Sequence, residues 1–313
     1  MLKKHSYLIL SSILIILIIS WFLLISDGNY GTTLFFSIPA SIGFVIGYLQ
    51  KYHGMTDTKL KVIIKGFFKI MLIVFAIAGI LILIGMEGAI CILMAYPFLV
   101  IPMFVAYVLG AFIGKVDGKN NINSILFIVI LNPTTYIYDN YTEPINNIVK
   151  TEIIINTSAE NIWKNLTSQI AFKDKANLLF EKGVTCPSFI EFDKANLNYS
   201  CRTNNDTIKL KIIEFVHNEK IKFILEKQTI PMKEITPYKS IDAKHLHNYF
   251  NINYGEITLS KIGSEKTKIV STTSYNYKIA PKWYWELWSN YIINEMHLHV
   301  LNSIKNKYDF KEY

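Results

Sequence analysis

Four long apolar runs, all within the first 113 residues, constrain this chain most. They are Tyr7–Ser26, Thr33–Leu49, Ile70–Met86 and Ala89–Ile113. A helix needs about 20 apolar residues to cross a ~30 Å hydrocarbon core. The charges are distributed the opposite way. Residues 1–139 hold nine of the 32 Lys and Arg and five of the 24 Asp and Glu. The average of 51% hydrophobic residues therefore hides two unlike halves, which excludes both a disordered chain and a single soluble domain. Residues 1–141 read as a transmembrane region, 142–150 as a linker with Pro144, and 151–310 as a water-soluble domain.

The first run is longer than a signal-peptide core and further spans follow, so it reads as a retained helix. Pro97 and Pro102 interrupt the fourth run, which neighbouring helices or water can accommodate. Basic loops alternate with non-basic ones. Asp27–Thr32 and Glu87–Gly88 carry no Lys or Arg, whereas Lys51, Lys59, Lys61, Lys115 and Lys119 flank the other ends. This pattern places the N-terminus in the cytoplasm. Ile122–Tyr138 would be a fifth, short span. If it crosses, the soluble domain is extracytoplasmic; if it lies on the surface, the domain is cytoplasmic. Its apolar core favours crossing. Ionisable residues are nearly absent from the runs, which argues against an ion pathway. The pairs Gly43/Gly47 and Gly110/Gly114 read as helix-packing positions. Cys91 lies in the fourth span with no evident partner.

The soluble half alternates in period two, with Ile208, Leu210 and Ile212 on one side of a strand and Ile221, Phe223 and Leu225 on one side of the next. Thr151–Asn156 reads as a strand, and Thr157 or Ser158 as the cap of a short helix carrying Ile162, Trp163 and Leu166. A last hairpin turns at Gly263-Ser264. About seven antiparallel strands result. Pro281 then opens a long helix whose apolar face reads as Leu287, Tyr291, Leu298, Leu301 and Ile304. These elements predict an α+β fold in which a curved sheet grips the final helix and leaves a hollow suited to apolar ligands.

The opening Val149-Lys-Thr-Glu-Ile-Ile-Ile-Asn-Thr-Ser-Ala-Glu-Asn-Ile-Trp163 resembles the entry of the START-like, or SRPBCC, superfamily with its helix-grip fold. Further segments are similar to a bacterial membrane-anchored branch of it, described as polyketide cyclase/dehydrase-like. They are Glu87–Pro97, Pro231-Met-Lys-Glu-Ile-Thr-Pro-Tyr238, His245-Leu246, Trp283-Tyr-Trp-Glu-Leu-Trp288 and Met296-His-Leu-His-Val-Leu301. The resemblance covers nearly the whole chain. It implies a bacterial cytoplasmic-membrane protein with a ligand pocket, and it leaves open whether the domain carries a lipid, catalyses a reaction or serves as an interaction module. Where the branch has an aromatic, this chain has Cys186, and Cys201 follows on the next strand. Outside the cytoplasm these two could form a disulfide; otherwise they are free thiols.

Tyr238, His245, Tyr249, Tyr275, Tyr277, Trp285, Trp288 and Tyr291 are the expected ligand-binding residues. They are aromatic or amphipathic and sit on the last strand, the final helix and the long 231–249 connection, which reads as a lid over the hollow. For acid–base chemistry the candidates are Glu234, His245 and His297. His245-x-His247 and His297-x-His299 lack metal spacing, so no metal is expected; Glu295 and His299 could pair across one helical turn. No Gly-x-Ser-x-Gly elbow, phosphate loop or dinucleotide fingerprint occurs, so no cofactor is expected. The net charge of +8 divides evenly between the halves and is scattered in the second, which gives no nucleic-acid surface. The expected partners are the lipid bilayer and a lipid or other hydrophobic small molecule.

Overall fold

The computed structural model describes residues 2–52, 59–116, 122–172, 177–239, 241, 243–247, 249–263 and 265–309. Lys119 of the basic loops, Ser264 of the last turn and Phe310 at the expected domain end lie outside the described residues. The chain forms two compact units. A helical unit contains residues 1–143, 236–245 and 279–281, and a sheet unit contains 144–235, 246–278 and 282–313.

The helical unit contains α1 (Leu2–Asp27), a five-residue π-helical turn (Thr33–Ser37), α2 (Ile38–Tyr52), α3 (Lys59–Leu83), α4 (Ala89–Val116) and α5 (Ile122–Asn140). Among the described residues, four helices are long and apolar enough to cross a membrane: Leu8–Asp27, Thr33–Gln50, Ile63–Leu83 and Ala89–Ile113. The third starts about two turns before the expected Ile70 and ends before Met86. Gly85 at φ 73° stops it, with Gly85 N donating to Ile82 O and Met86 N to Leu81 O. Helix α1 ends in the same way at Gly28, φ 78°, with Gly28 N on Ile25 O and Asn29 N on Leu24 O. Both are left-handed glycine caps that satisfy the last carbonyls.

Helices α2 and α4 touch backbone to backbone. A Cβ on Gly43 would lie 2.0 Å from Met103 O, one on Gly47 2.0 Å from Tyr107 O, and one on Gly110 2.2 Å from Phe44 O. The glycine spacing seen in the sequence is thus a packing seam. Helix α5 forms as one helix despite Pro133. Its polar stretch is satisfied inside the unit: Asn132 Nδ2 donates to Ser41 Oγ at 2.9 Å, and Ser37 Oγ lies 2.8 Å from Thr135 Oγ1. Asp139 near its end is buried and accepts from the backbone N–H groups of Thr32 and Thr33 at 2.7 and 2.8 Å. These are donors that a helix start leaves without intrahelical partners.

The sheet unit is one eight-stranded antiparallel sheet in the order β1-β8-β7-β6-β5-β4-β3-β2. Its strands are β1 (Ile145–Ile155), β2 (Gln169–Ala171), β3 (Pro187–Asp193), β4 (Asn198–Thr203), β5 (Thr207–Val216), β6 (Lys220–Leu225), β7 (Phe250–Lys261) and β8 (Thr267–Tyr277). Short helices α6 (Ala159–Leu166) and α7 (Leu178–Glu181) precede β2 and β3, and the long α8 (Lys282–Asp309) closes the chain. This is the expected helix-grip architecture, an antiparallel sheet with a long final helix. Strand β1 begins at Ile145, inside the expected linker, because residues 145–150 pair with Tyr277 through Thr272 on β8. The short β2 supplies the eighth strand.

Ser158 caps α6, and Ile208, Leu210 and Ile212 are buried in the core with Ile155, Ile162, Trp163 and Ile269. The buried face of α8 agrees with the expected one at Leu301 and Ile304 and differs toward its start. Leu287 and Tyr291 are exposed, and the buried stripe is Trp285, Ile293, His297, Leu301 and Ile304. That stripe follows four-residue steps over most of its length, but a polar His occupies its centre, so hydrophobicity alone misplaces its first half. Pro281 precedes the helix by one residue.

Gly43→Ala should destabilise the protein by roughly 1–3 kcal/mol, the usual cost of overpacking. Gly79→Ala should be neutral, since a Cβ there meets nothing within 4 Å. Thermal unfolding of both variants in the same detergent measures the difference.

Candidate functional site

Two clusters of buried polar groups stand out, one in each unit. The first is built by the two glycine caps. Tyr30 follows Gly28 by two residues and Glu87 follows Gly85 by two, and the Tyr30 hydroxyl donates to Glu87 Oε1 at 2.5 Å. Glu87 Oε2 lies 3.3 Å from His245 Nδ1, and His245 Nε2 lies 2.8 Å from Cys91 Sγ. Glu87 and His245 are buried, and Cys91, in the first turn of α4, is half-buried. The Tyr30 ring packs edge-on to His245 at 5.1 Å. Burial, with the Glu87 carboxylate beside it, raises the Tyr30 phenol far above its ordinary range, so it acts only as a donor.

Residues 236–245, within the connection expected as a lid, belong to this helical unit. The Tyr238 hydroxyl donates to Leu83 O, one of the carbonyls left over at the end of α3. Gly85 faces the Tyr238 ring and Ile241. Ala280 N donates to Tyr30 O at 3.0 Å. Tyr238 and His245 belong to the helical unit and the other expected ligand-binding residues to the sheet unit. Cys91, expected to lack a partner, has His245.

Glu87, Cys91 and His245 each bring one ligand atom within 4.8 Å of the others, as a metal cage requires. The imidazole nevertheless turns a different nitrogen toward each of the other two. Its 2.8 Å spacing to sulfur is that of a hydrogen bond. Two ligands of one zinc ion, each about 2.0–2.3 Å from the metal, stand farther apart than that.

The second cluster joins β1, β8 and α8. His297 Nδ1 lies 2.9 Å from Thr151 Oγ1 and Nε2 lies 2.7 Å from Thr273 Oγ1. Thr151 donates its proton to Asn294 Oδ1 at 2.7 Å, so it must accept from His297 Nδ1–H. The Thr273 hydroxyl then donates to Nε2. This chain assigns a neutral ring, and burial pushes its pKa down to about 4. Alongside, Tyr275 donates to Asn290 Oδ1 at 2.7 Å, Tyr277 donates to Lys282 O at 2.8 Å, and Asn147 donates to Glu286 Oε1 at 2.8 Å. Burial pushes both phenols up to about 12.

The remaining expected site residues scatter. Tyr275, Tyr277 and Trp285 are buried in the sheet unit, Tyr249 and Trp288 are half-buried, and Tyr291 is exposed. Glu234 is buried in the sheet unit while His245 belongs to the helical one, and both His297 nitrogens are held by threonines. Glu295 accepts from Asn177 at 2.9 Å, and His299 packs by Phe172 and Phe180 with ring separations of 5.8 and 6.3 Å. Cys186 and Cys201 are free thiols. The register matches Cys201 with Ile190; Cys186 N donates to Asn204 Oδ1 and Cys186 O accepts from Asn204 N.

No family model and no curated protein matches the chain. Solved structures do. A START superfamily protein from Mycobacterium smegmatis is 9% identical with a TM-score of 0.33, covering 52% of this chain and 97% of its own. Truncated norcoclaurine synthase from Thalictrum flavum is 14% identical with a TM-score of 0.36, covering 56% and 99%. The Aha1 dimer from Colwellia psychrerythraea is 14% identical with a TM-score of 0.30, covering 53% and 99%.

The His297 lattice has a pH signature. An unfolded His titrates near 6.5 and the folded one near 4, so between these values the unfolded state binds the extra proton. Stability is then full above about pH 6.5 and falls as pH drops toward 4, by up to about 3 kcal/mol from this one residue. Denaturant midpoints of wild type and His297→Gln, compared at pH 7 and pH 4.5, should show the wild type losing more.

Proposed function

We propose that this is a multi-pass membrane protein whose helix-grip domain binds an amphipathic lipid. One observation carries the reading: the gripping face of the sheet has two chemistries. Toward β3 through β6 it presents Ile190, Phe192, Phe223 and Leu225, with Ile257 on β7, all only partly covered by the core they adjoin. Toward β1 and β8 it presents the hydroxyl- and amide-rich lattice of Thr151, Thr273, Tyr275 and Asn147. Half-covered apolar side chains at one end and fixed hydrogen-bonding groups at the other match an apolar tail and a polar head. Gly255 belongs to the same design, since a Cβ there would lie 2.4 Å from the Phe223 ring.

Tyr275, Tyr277 and Trp285 are the ligand-binding candidates that this face supports, with Tyr249 and Trp288 at its margin. The four apolar helices and the alternation of basic loops favour a bacterial cytoplasmic membrane with a cytoplasmic N-terminus. Crossing by α5 would place the sheet unit outside. A cyclase or dehydratase reading would draw its acid and base from Glu234, His245 and His297.

Full-length protein purified in mild detergent should retain one lipid-sized ligand in native mass spectrometry. Leu225→Ala should lower retention roughly tenfold, the equivalent of about 1.4 kcal/mol of lost apolar burial. A folded protein that is empty and takes up no fluorescent lipid would sink the reading.

A further inference from the structure

We propose that Cys91, His245 and Glu87 form an acyl-transfer centre with the Cys91 thiol as nucleophile, acting on long-chain acyl esters. This site lies wholly in the helical unit and is independent of the lipid-binding reading. Its geometry gathers a nucleophile, a base and a carboxylate: sulfur 2.8 Å from Nε2, Nδ1 3.3 Å from a carboxylate oxygen, and one atom of each residue within 4.8 Å of the others. The second carboxylate oxygen is held by Tyr30. The Glu87 carboxylate stands at ion-pair distance from the Nδ1 side of the ring, and Nε2 faces the thiol. A purely structural cysteine does not require a base buried beside it and oriented by a buried carboxylate.

Two further features suit the chemistry. Cys91 is the third residue of α4, in the first turn, where backbone N–H groups lack intrahelical acceptors and can serve a developing oxyanion. It also stands at the start of a helix apolar enough to cross a membrane. An ester with a long alkyl chain partitions to that level, which selects the substrate class.

The thiol proton passes to His245 Nε2 as Sγ bonds to the ester carbonyl carbon. The C–O bond then breaks, and the leaving alcohol takes the proton from Nε2. Water attacks the resulting thioester and gives one proton to Nε2. The C–S bond breaks, the proton returns to sulfur, and a carboxylic acid leaves. Nothing is oxidised or reduced. Cys91 and His245 are catalytic; Glu87 and Tyr30 are positioning residues.

The test uses the full-length protein in nanodiscs with p-nitrophenyl decanoate. Wild type should release one nitrophenolate per chain in a burst and carry one decanoyl group on the peptide containing Cys91. Cys91→Ala should show neither. His245→Ala should slow acylation by roughly 10²–10⁴-fold, the usual worth of a positioned base. Glu87→Gln should slow the burst while leaving its amplitude at one, a split that loss of folding would not produce. Iodoacetamide at pH 7 gives a second measure that needs no ester. Cys91 should alkylate at least about tenfold faster in wild type than in His245→Ala. Cys186 and Cys201, buried with thiols pushed up to about 12, should stay unmodified in the native protein. Equal acylation and alkylation rates in wild type and His245→Ala would overturn the proposal. So would one zinc ion per chain that blocks alkylation and is lost in Cys91→Ala, since the cluster would then be a metal site.

Discussion

Taking a polar group out of water costs roughly 2–7 kcal/mol unless it finds a hydrogen-bond partner, and this penalty organises both units. In the helical unit, Asp139 is buried because two backbone N–H groups at a helix start need an acceptor. Asn132 and Thr135 can sit in α5 because Ser37 and Ser41 face them. In the sheet unit, His297 occupies the centre of the buried stripe of α8 because Thr151 and Thr273 complete both of its nitrogens. Apolar packing makes each unit compact, and these pairings fix which residues meet.

Backbone approach is the second organising constraint. Helices α2 and α4 come close enough to touch only because Gly43, Gly47 and Gly110 present no side chain. Such backbone approach gives close van der Waals contact along the seam, the kind of packing that joins apolar helices. The same residue type, used for its left-handed conformation, ends α1 and α3 at Gly28 and Gly85. Those two turns deliver Tyr30 and Glu87 to one hydrogen bond. Local chain geometry therefore reaches directly into the chemistry of the helical unit.

Much of the architecture was legible along the chain. The four apolar runs, the alternation in β5 and β6, the cap at Ser158 and the long closing helix all follow from short-range periodicity. Three readings failed for identifiable reasons. Leu287 and Tyr291 are apolar enough to suggest the buried face of α8, but a satisfied histidine lies on the true one. The 142–150 stretch reads as a linker because Asn is rare in strands, yet β8 offers it an edge to pair with. Cys91 looks partnerless because its base is 154 positions away. The glycines two residues before Tyr30 and Glu87 were the available clue to that cluster, and only as helix stops.

By itself the sequence determined the division of the chain, the number and kind of most elements, and a helix-grip domain after a set of apolar helices. These depend on hydrophobic period and length, which are properties of neighbouring residues. Tertiary structure alone decided the sites. It assigned residues 236–245 to the helical unit, gave both His297 nitrogens to threonines, and brought a thiol, an imidazole and a carboxylate together. Such placements join positions far apart in the chain, and what selects them is hydrogen-bond satisfaction in three dimensions, which leaves no periodic trace in the order of residues.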